Sequence, residues 1–148
     1  MGRADMDEPD QPFSIQITLP ENVSFGFDIE TYIRKILMLK KLESGSYEFT
    51  FVNNKEIVEI NQKYLQRDYI TDIISFNLGS PDNPEGDIYI CFEKAEENAK
   101  ENNQSLDDEI KLLIVHGILH LLDYKDYTDE EKAIMYKEQD RLLKLANE

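Results

Sequence analysis

From residue 13 onward the apolar positions switch between two periods. FSIQITL (13–19) alternates apolar and polar side chains, the two-residue period of a half-buried strand. SYEFTFVN (46–53) repeats the pattern with Tyr47, Phe49 and Phe51 on one face, and DIISFNL (72–78) and DIYICF (87–92) predict two more strands. Between them the period lengthens to that of a helix. DIETYIRKILMLKKLE (28–43) sets Ile29, Ile33, Ile36, Leu37 and Leu39 at helical spacing, with Asp28 as N-cap and Gly45 as the stop. NKEIVEINQKYLQ (54–66) is amphipathic through Ile57, Ile60, Tyr64 and Leu65, and FEKAEENAKENN (92–103) is a polar helix ended by Asn102 and Asn103. SPDNPEG (80–86) is turn chemistry throughout. SLDDEIKLLIVHGILHLL (105–122) opens on Ser105 followed by Asp108, and Thr128 with Glu131 caps a last helix over 129–146. There is no internal repeat and no linker. The order predicts one α+β domain over 13–148, a small sheet of about four strands packed with about five helices. Residues 1–12, acidic and carrying Pro9 and Pro12, read as a disordered tail.

The helix over 105–122 differs from the others. Leu112, Leu113, Val115, Ile118, Leu119, Leu121 and Leu122 make it apolar nearly all round, so it is expected to be buried. It also carries both histidines of the chain, His116 and His120. At a spacing of four they project from one helix face. Two buried imidazoles pointing the same way need a polar partner. They are either core histidines held by backbone or carboxylate groups, or two ligands of a metal ion. The metalloprotease motif HExxH has the same spacing, with a glutamate after the first histidine as general base. Here that position is Gly117, so the ligand spacing is present and the base is not. A glycine there lets another backbone approach the helix closely.

Composition narrows the setting. The chain has 148 residues, 41% hydrophobic and 32% charged, the make-up of a folded domain with a proper core. It has no apolar run of the roughly 18 residues that a membrane span needs, and its first residues lack the hydrophobic core of a secretory signal. The single cysteine, Cys91, excludes an intramolecular disulfide and fits a reducing compartment. A cytoplasmic location is therefore expected. A formal net charge of −15 counts against non-specific nucleic-acid binding, which runs on Lys and Arg.

HGILHLLDYKD (116–126) resembles the HGxLHLxGYDH signature of the YbeY family, metal-dependent endoribonucleases of bacterial ribosomal RNA maturation. INQKYLQRDYITDIISFNL (60–78) is similar to a second family segment, through Asn61, Tyr64, Asp68, Thr71, Asp72, Ser75 and Phe76. GDIYIC (86–91) looks like the strand that follows it. The resemblance spans about residues 46–143 with the segments in the family's order. It implies a small sheet of about four strands with helices around it. It also implies an endoribonuclease acting on single-stranded RNA, in maturation of the 16S rRNA 3′ end and in ribosome quality control. The partners implied are ribosomal RNA and ribosomal particles, with no DNA and no membrane.

This chain departs from the family at three places. The third family histidine, a metal ligand, falls on Asp126. The family arginine that follows the tyrosine of the second segment is Leu65, with Arg67 two residues on as a substitute for substrate binding or catalysis. The family's turn glycine is Asp123, a residue that tolerates the left-handed conformation and so reads as a helix terminator ahead of the alternative, a metal ligand in place of Asp126.

The resemblance then implies a metal site of His116, His120 and Asp126. Zinc is the first expectation. Two histidines with a carboxylate also suit iron, manganese or nickel. Three protein ligands leave a position open, the catalytic pattern, in which an ion activates water and polarises a phosphoryl oxygen. Asp87 is either a turn residue or the group that orients a ligand histidine. Cys91 and Tyr64 are expected in the core, Ser75 and Phe76 beside the site, Met135 against the metal helix and Glu138 in solvent. Lys63, Arg67, Lys111 and Lys125 are phosphate contacts or ordinary surface charges. Two other functions remain open: a non-catalytic ribosome-assembly factor braced by its metal, which the missing arginine favours, and a hydrolase of another phosphoester.

Overall fold

Four strands and five helices form along residues 13–147, the part of the chain that this computed structural model describes. The reading of residues 1–12 as a tail lies outside the described residues. The elements are β1 (Ser14–Thr18), α1 (Ile29–Leu39), β2 (Ser46–Val52), α2 (Asn54–Leu65), β3 (Ile73–Asn77), β4 (Glu85–Cys91), α3 (Phe92–Glu101), α4 (Leu106–Leu121) and α5 (Asp129–Ala146). The sheet order is β1-β2-β4-β3. β1, β2 and β4 run parallel, and β3 pairs antiparallel with β4 at the edge. The α+β class, the four strands and the five helices are as expected from the two periods.

Two element ends differ from the expectation. β4 starts at Glu85, inside the predicted turn, because Ser80 and Asn83 already close that turn with paired backbone bonds of 3.3 and 3.1 Å. Gly86 then pairs with Tyr47 on one side and Asn77 on the other. α1 stops at Leu39, well before Gly45. Lys41 takes a left-handed φ of 59°, its N–H bonds to Met38 O (2.9 Å), and Leu42 N–H bonds to Leu37 O (3.1 Å). Those two bonds satisfy the last carbonyls of the helix and let Leu42 pack back on the core. Asn103 and Asp123 close α3 and α4 with the same pair of bonds, each with positive φ.

The larger core lies between the sheet and the helices α1, α4 and α5, and a smaller one under α2 is built from Val52, Ile57, Ile74 and Cys91. α4 lies on the sheet as its composition predicts, with Ile110, Leu113, Ile114, Val115, Ile118, Leu119 and Leu121 all buried. Full burial of such side chains stabilises by about 1.5–3 kcal/mol each. At Gly117 the neighbours are side chains of the sheet rather than a second backbone. A Cβ there would meet Ile73 Cδ1 and Ile88 Cδ1 at 3.1 Å each. The reciprocal contact is at Gly86, whose missing side chain leaves room for Leu121. Tyr64, expected in the core, is exposed at the end of α2 with its ring edge-on to Phe76 at 5.5 Å.

Glu138 is not a solvent residue. Its carboxylate accepts from Lys40 Nζ at 2.6 Å, and from Arg141 Nε and Nη2 at 2.7 and 2.8 Å. Lys40 also reaches the Tyr124 hydroxyl at 3.0 Å. The network ties α1, the segment after α4, and α5. The Arg141 and Lys40 hydrogen bonds hold the Glu138 carboxyl down to about 2, against the opposing effect of burial. Its depressed folded-state pKa means the stabilisation is complete above about pH 4.5 and is lost as pH falls toward about 2. Glu138→Gln should therefore cost about 1–2 kcal/mol at neutral pH, and the gap from the parent in urea denaturation should close on acidification through that window.

Candidate metal centre

α4 is positioned before its histidines do anything. Ser105 Oγ caps its first turn by accepting from Asp108 N–H at 3.1 Å, and the Asp123 turn fixes its last. Leu121 and Gly117 face the sheet, so His116 and His120 emerge at the margin of that contact. They open into a cleft of about 510 Å³ between the edge strand β3, the loop after α2 and the segment 121–127. Asp126 lies on that segment. Its far end is fixed by the α5 cap, in which Tyr127 N–H and Thr128 N–H both donate to Glu131 Oε1.

The ligand atoms converge. His116 Nε2 and His120 Nε2 are 3.1 Å apart, and Asp126 Oδ2 lies 3.9 and 3.6 Å from them. All three atoms fall within 4.8 Å of one another. Tetrahedral coordination with bonds of about 2.0–2.1 Å sets ligand atoms roughly 3.3–3.4 Å apart, so the triad fits a single ion with little movement. The chemistry fits as well. His116 Nδ1 faces Gln139 Oε1 at 3.1 Å, and an amide oxygen only accepts. The Nδ1–H tautomer follows, which leaves Nε2 with its lone pair toward the triad. Burial first, and then His116, lowers the pKa of His120, against opposing contributions from Asp126 and a backbone hydrogen bond to Tyr124. A neutral imidazole is the form that binds metal.

Other expected residues divide sharply. Arg67 and Lys125 line the cleft, as do Leu65 and Ser75. Lys63 sits instead over the Tyr64 ring, and Lys111 over the rings of Phe27 and Tyr32. Asp87 does not reach the histidines. Gly86 and Ile88 face α4, so strand alternation turns Asp87 to the other side of the sheet, beside Tyr89. The group that orients a histidine is Gln139 on α5. A signal for it existed, since Met135, Gln139 and Leu142 form one buried stripe of α5 with a single amide in it. Asp123, with φ of 69°, is the terminator of α4; its carboxylate accepts weakly from Asn77 Nδ2 at 3.4 Å. Cys91 is buried as expected, its thiol 3.1 Å from Asn54 Oδ1 and its pKa pushed up by burial.

Comparison with known proteins bears on the same residues. The family described as Endoribonuclease YbeY matches residues 18–147. The chain belongs to the YbeY endoribonuclease family. Endoribonuclease YbeY of Flavobacterium psychrophilum is 33% identical over 133 residues, which is 83% of this chain and 95% of that protein. The namesake from Aster yellows witches'-broom phytoplasma is 44% identical over 117 residues, covering 75% and 79%. The solution structure of a Thermotoga maritima protein superimposes with a TM-score of 0.67 at 26% identity, covering 90% of this chain and 88% of that one. Membership makes this an enzyme of a nuclease family, with a His/His/Asp triad that can hold an ion.

Two outcomes follow from the geometry. Asp126→Ala should empty the site, whereas Asp123→Ala should keep the metal and cost about 1 kcal/mol through its left-handed turn. Metal content after identical loading separates them, and the reverse result would make Asp123 the ligand. Gln139→Leu should fold and still bind metal, with affinity weakened about 10–100-fold as the His116 ring loses its anchor. Competition with a chromogenic chelator reads that loss.

Proposed function

We propose that this chain is a single-metal endoribonuclease that cuts single-stranded RNA, and that its substrate is ribosomal RNA in ribosomal particles, at the 16S 3′ end and in ribosome quality control. The observation that carries the reading is the convergence of His116, His120 and Asp126 in an open cleft. Zinc is the proposed ion. The carboxylate also admits iron, manganese or nickel. When bound, such an ion supplies Lewis acidity at a phosphoryl oxygen and a hydrolytic nucleophile at neutral pH. The protein's own part is to hold the ion on one side only. Two ligands sit on a rigid helix, the third on a loop pinned at both ends, and the cleft stays open to substrate. Arg67 and Lys125 are the cleft-lining cations, placed to meet phosphate oxygens. Gln139 holds His116 in the ligand tautomer.

The non-catalytic reading rested on Leu65 standing where the family has arginine. Arg67 lining the same cleft favours the enzyme. The proposed setting is the cytoplasm; among the described residues no helix is long and apolar enough to cross a membrane. Single-strand preference is expected because a flexible strand enters a cleft that a rigid duplex cannot. DNA is not an expected substrate.

The test combines elemental analysis of protein purified without chelator with cleavage of matched single-stranded and duplex RNA. One divalent ion per chain, cleavage of the single strand, and its abolition by EDTA are expected. Metal-loaded protein that binds ribosomal particles and cuts no RNA would establish the assembly-factor reading instead.

A further inference from the structure

Affinity for RNA has to come from somewhere other than charge in this cleft. Its lining cations are Arg67 and Lys125, and the same lining carries Asp72, Asp123 and Asp126. The chain as a whole carries −15. Phosphate neutralisation is therefore a weak source of binding here.

The same lining contains two rings of another kind. Tyr69 and Tyr127 belong to the wall of the cleft and are 51% and 84% exposed. Among the described residues, neither packs on another aromatic ring or under a cation, unlike Tyr64 on Phe76 or Tyr124 under Lys40. Exposed tyrosines of this kind keep their ring faces open to a partner.

Their backbones are nonetheless fixed. Asn61, itself 1% exposed, donates from Nδ2 to Tyr69 O at 2.9 Å. Its own carbonyl accepts from Arg67 N–H at 3.2 Å, in the left-handed turn at Gln66 that ends α2. Tyr127 N–H donates to Glu131 Oε1 at 3.2 Å, within the α5 capping box. One ring thus stands at the C-terminus of α2, beside Arg67. The other stands at the N-terminus of α5, directly after Asp126. Rings with fixed backbones and free faces offer stacking surface at a small ordering cost.

We propose that Tyr69 and Tyr127 are base-stacking platforms on which the single strand lies, so that the phosphate between the stacked bases is presented to the His116, His120 and Asp126 triad. This rests on the nuclease reading above and adds the source of affinity and of single-strand preference. A stacked face is available only on an unpaired base, and every base has one, so the platforms select single strands without reading sequence.

The experiment measures binding and turnover separately. Equilibrium binding uses a short fluorescein-labelled 2′-O-methyl oligoadenylate with the metal-loaded full chain, followed by anisotropy. Turnover uses the corresponding all-ribose oligomer. Tyr69→Ala and Tyr127→Ala should each weaken binding about 5–150-fold, raise KM correspondingly, and leave metal content and the salt slope of binding unchanged, since no phosphate contact is lost. Tyr69→Phe and Tyr127→Phe should bind like the parent. An oligomer of abasic ribose phosphates should bind the parent as weakly as the double alanine variant binds oligoadenylate.

Alanine variants that bind and turn over like the parent overturn the platforms while leaving the nuclease reading intact. So do phenylalanine variants as weak as the alanine ones, which would make the hydroxyls the contact. A parent that binds oligoadenylate and cleaves nothing overturns the nuclease reading, and the binding arm still decides the platforms. A parent that binds no single strand overturns them.

Discussion

The contact on which the site depends is the meeting of α4 with β3 and β4 at Gly117, where Ile73 and Ile88 occupy the space of an absent side chain. It fixes how deeply α4 sits and, with Leu121 seated over Gly86, how far it is rotated. Protein interiors pack to crystal density and tolerate little volume change. A methyl at 117 would make the Ile73 and Ile88 side chains give by a few tenths of an ångström, and a larger side chain would lift α4 off the sheet or turn it. Either movement carries both imidazoles with it, because they share the helix. The geometry of two ligands is thus set by apolar packing on the opposite side of the helix, before any polar contact is made.

Asp126, the proposed third ligand, is placed by a different device. Asp126 lies on a short connection, and the connection is short because both of its ends are specified. Asp123 in the left-handed conformation ends α4, and the Thr128–Glu131 capping box begins α5. The Tyr124 hydroxyl is drawn to Lys40, which Glu138 holds from α5. Few conformations of five intervening backbone units satisfy those constraints together, so the carboxylate is ordered by its neighbours and not by its own bonds. Gln139 completes the arrangement from α5, the same helix whose cap ends the loop. One helix thereby fixes both the loop and the ring of His116.

Much of this was legible in the residue order. Alternation of Tyr47, Phe49 and Phe51 and the apolar stripe of α4 depend on local period alone, so the elements and the burial of α4 followed directly. The histidine pair at i, i+4 fixed a shared face, and Asp126 came only from the resemblance, as the place of the family signature's third histidine. What the order could not carry was which face of a strand meets which helix. Asp87 alternates with Ile88 in the sequence, yet only the packing of α4 shows that Ile88 is the inner one. Gln139 stood out as the amide in the apolar stripe of α5, but its partner was hidden for the same reason, since the contact with His116 crosses between helices. The stop at Lys41 was missed because lysine has no special tolerance for positive φ. The hydrogen bonds and the return of Leu42 to the core outweigh the local penalty there. Tyr64 fits an apolar helical pattern, but the buried face of α2 runs through Ile57 and Asn61 and leaves it in solvent.

The substitution of Asp126 for a histidine changes the electrostatics of the cleft as well as its donor set. A carboxylate brings a negative charge into a wall where Asp72 and Asp123 already match Arg67 and Lys125 in number, so that with Asp126 the acidic groups outnumber the basic ones. A polyanion therefore meets a repulsive cleft in the apoprotein. A divalent ion at the triad reverses that balance locally, where desolvated charges interact more strongly than in bulk water. On the proposed reading, a bound ion would have two functions that cannot be separated by removing it: supplying the chemistry and drawing phosphate into the cleft. A cleft whose charge is only marginally attractive even when loaded must gain its remaining affinity from uncharged surface. On the stacking proposal, the exposed rings of Tyr69 and Tyr127 are that surface.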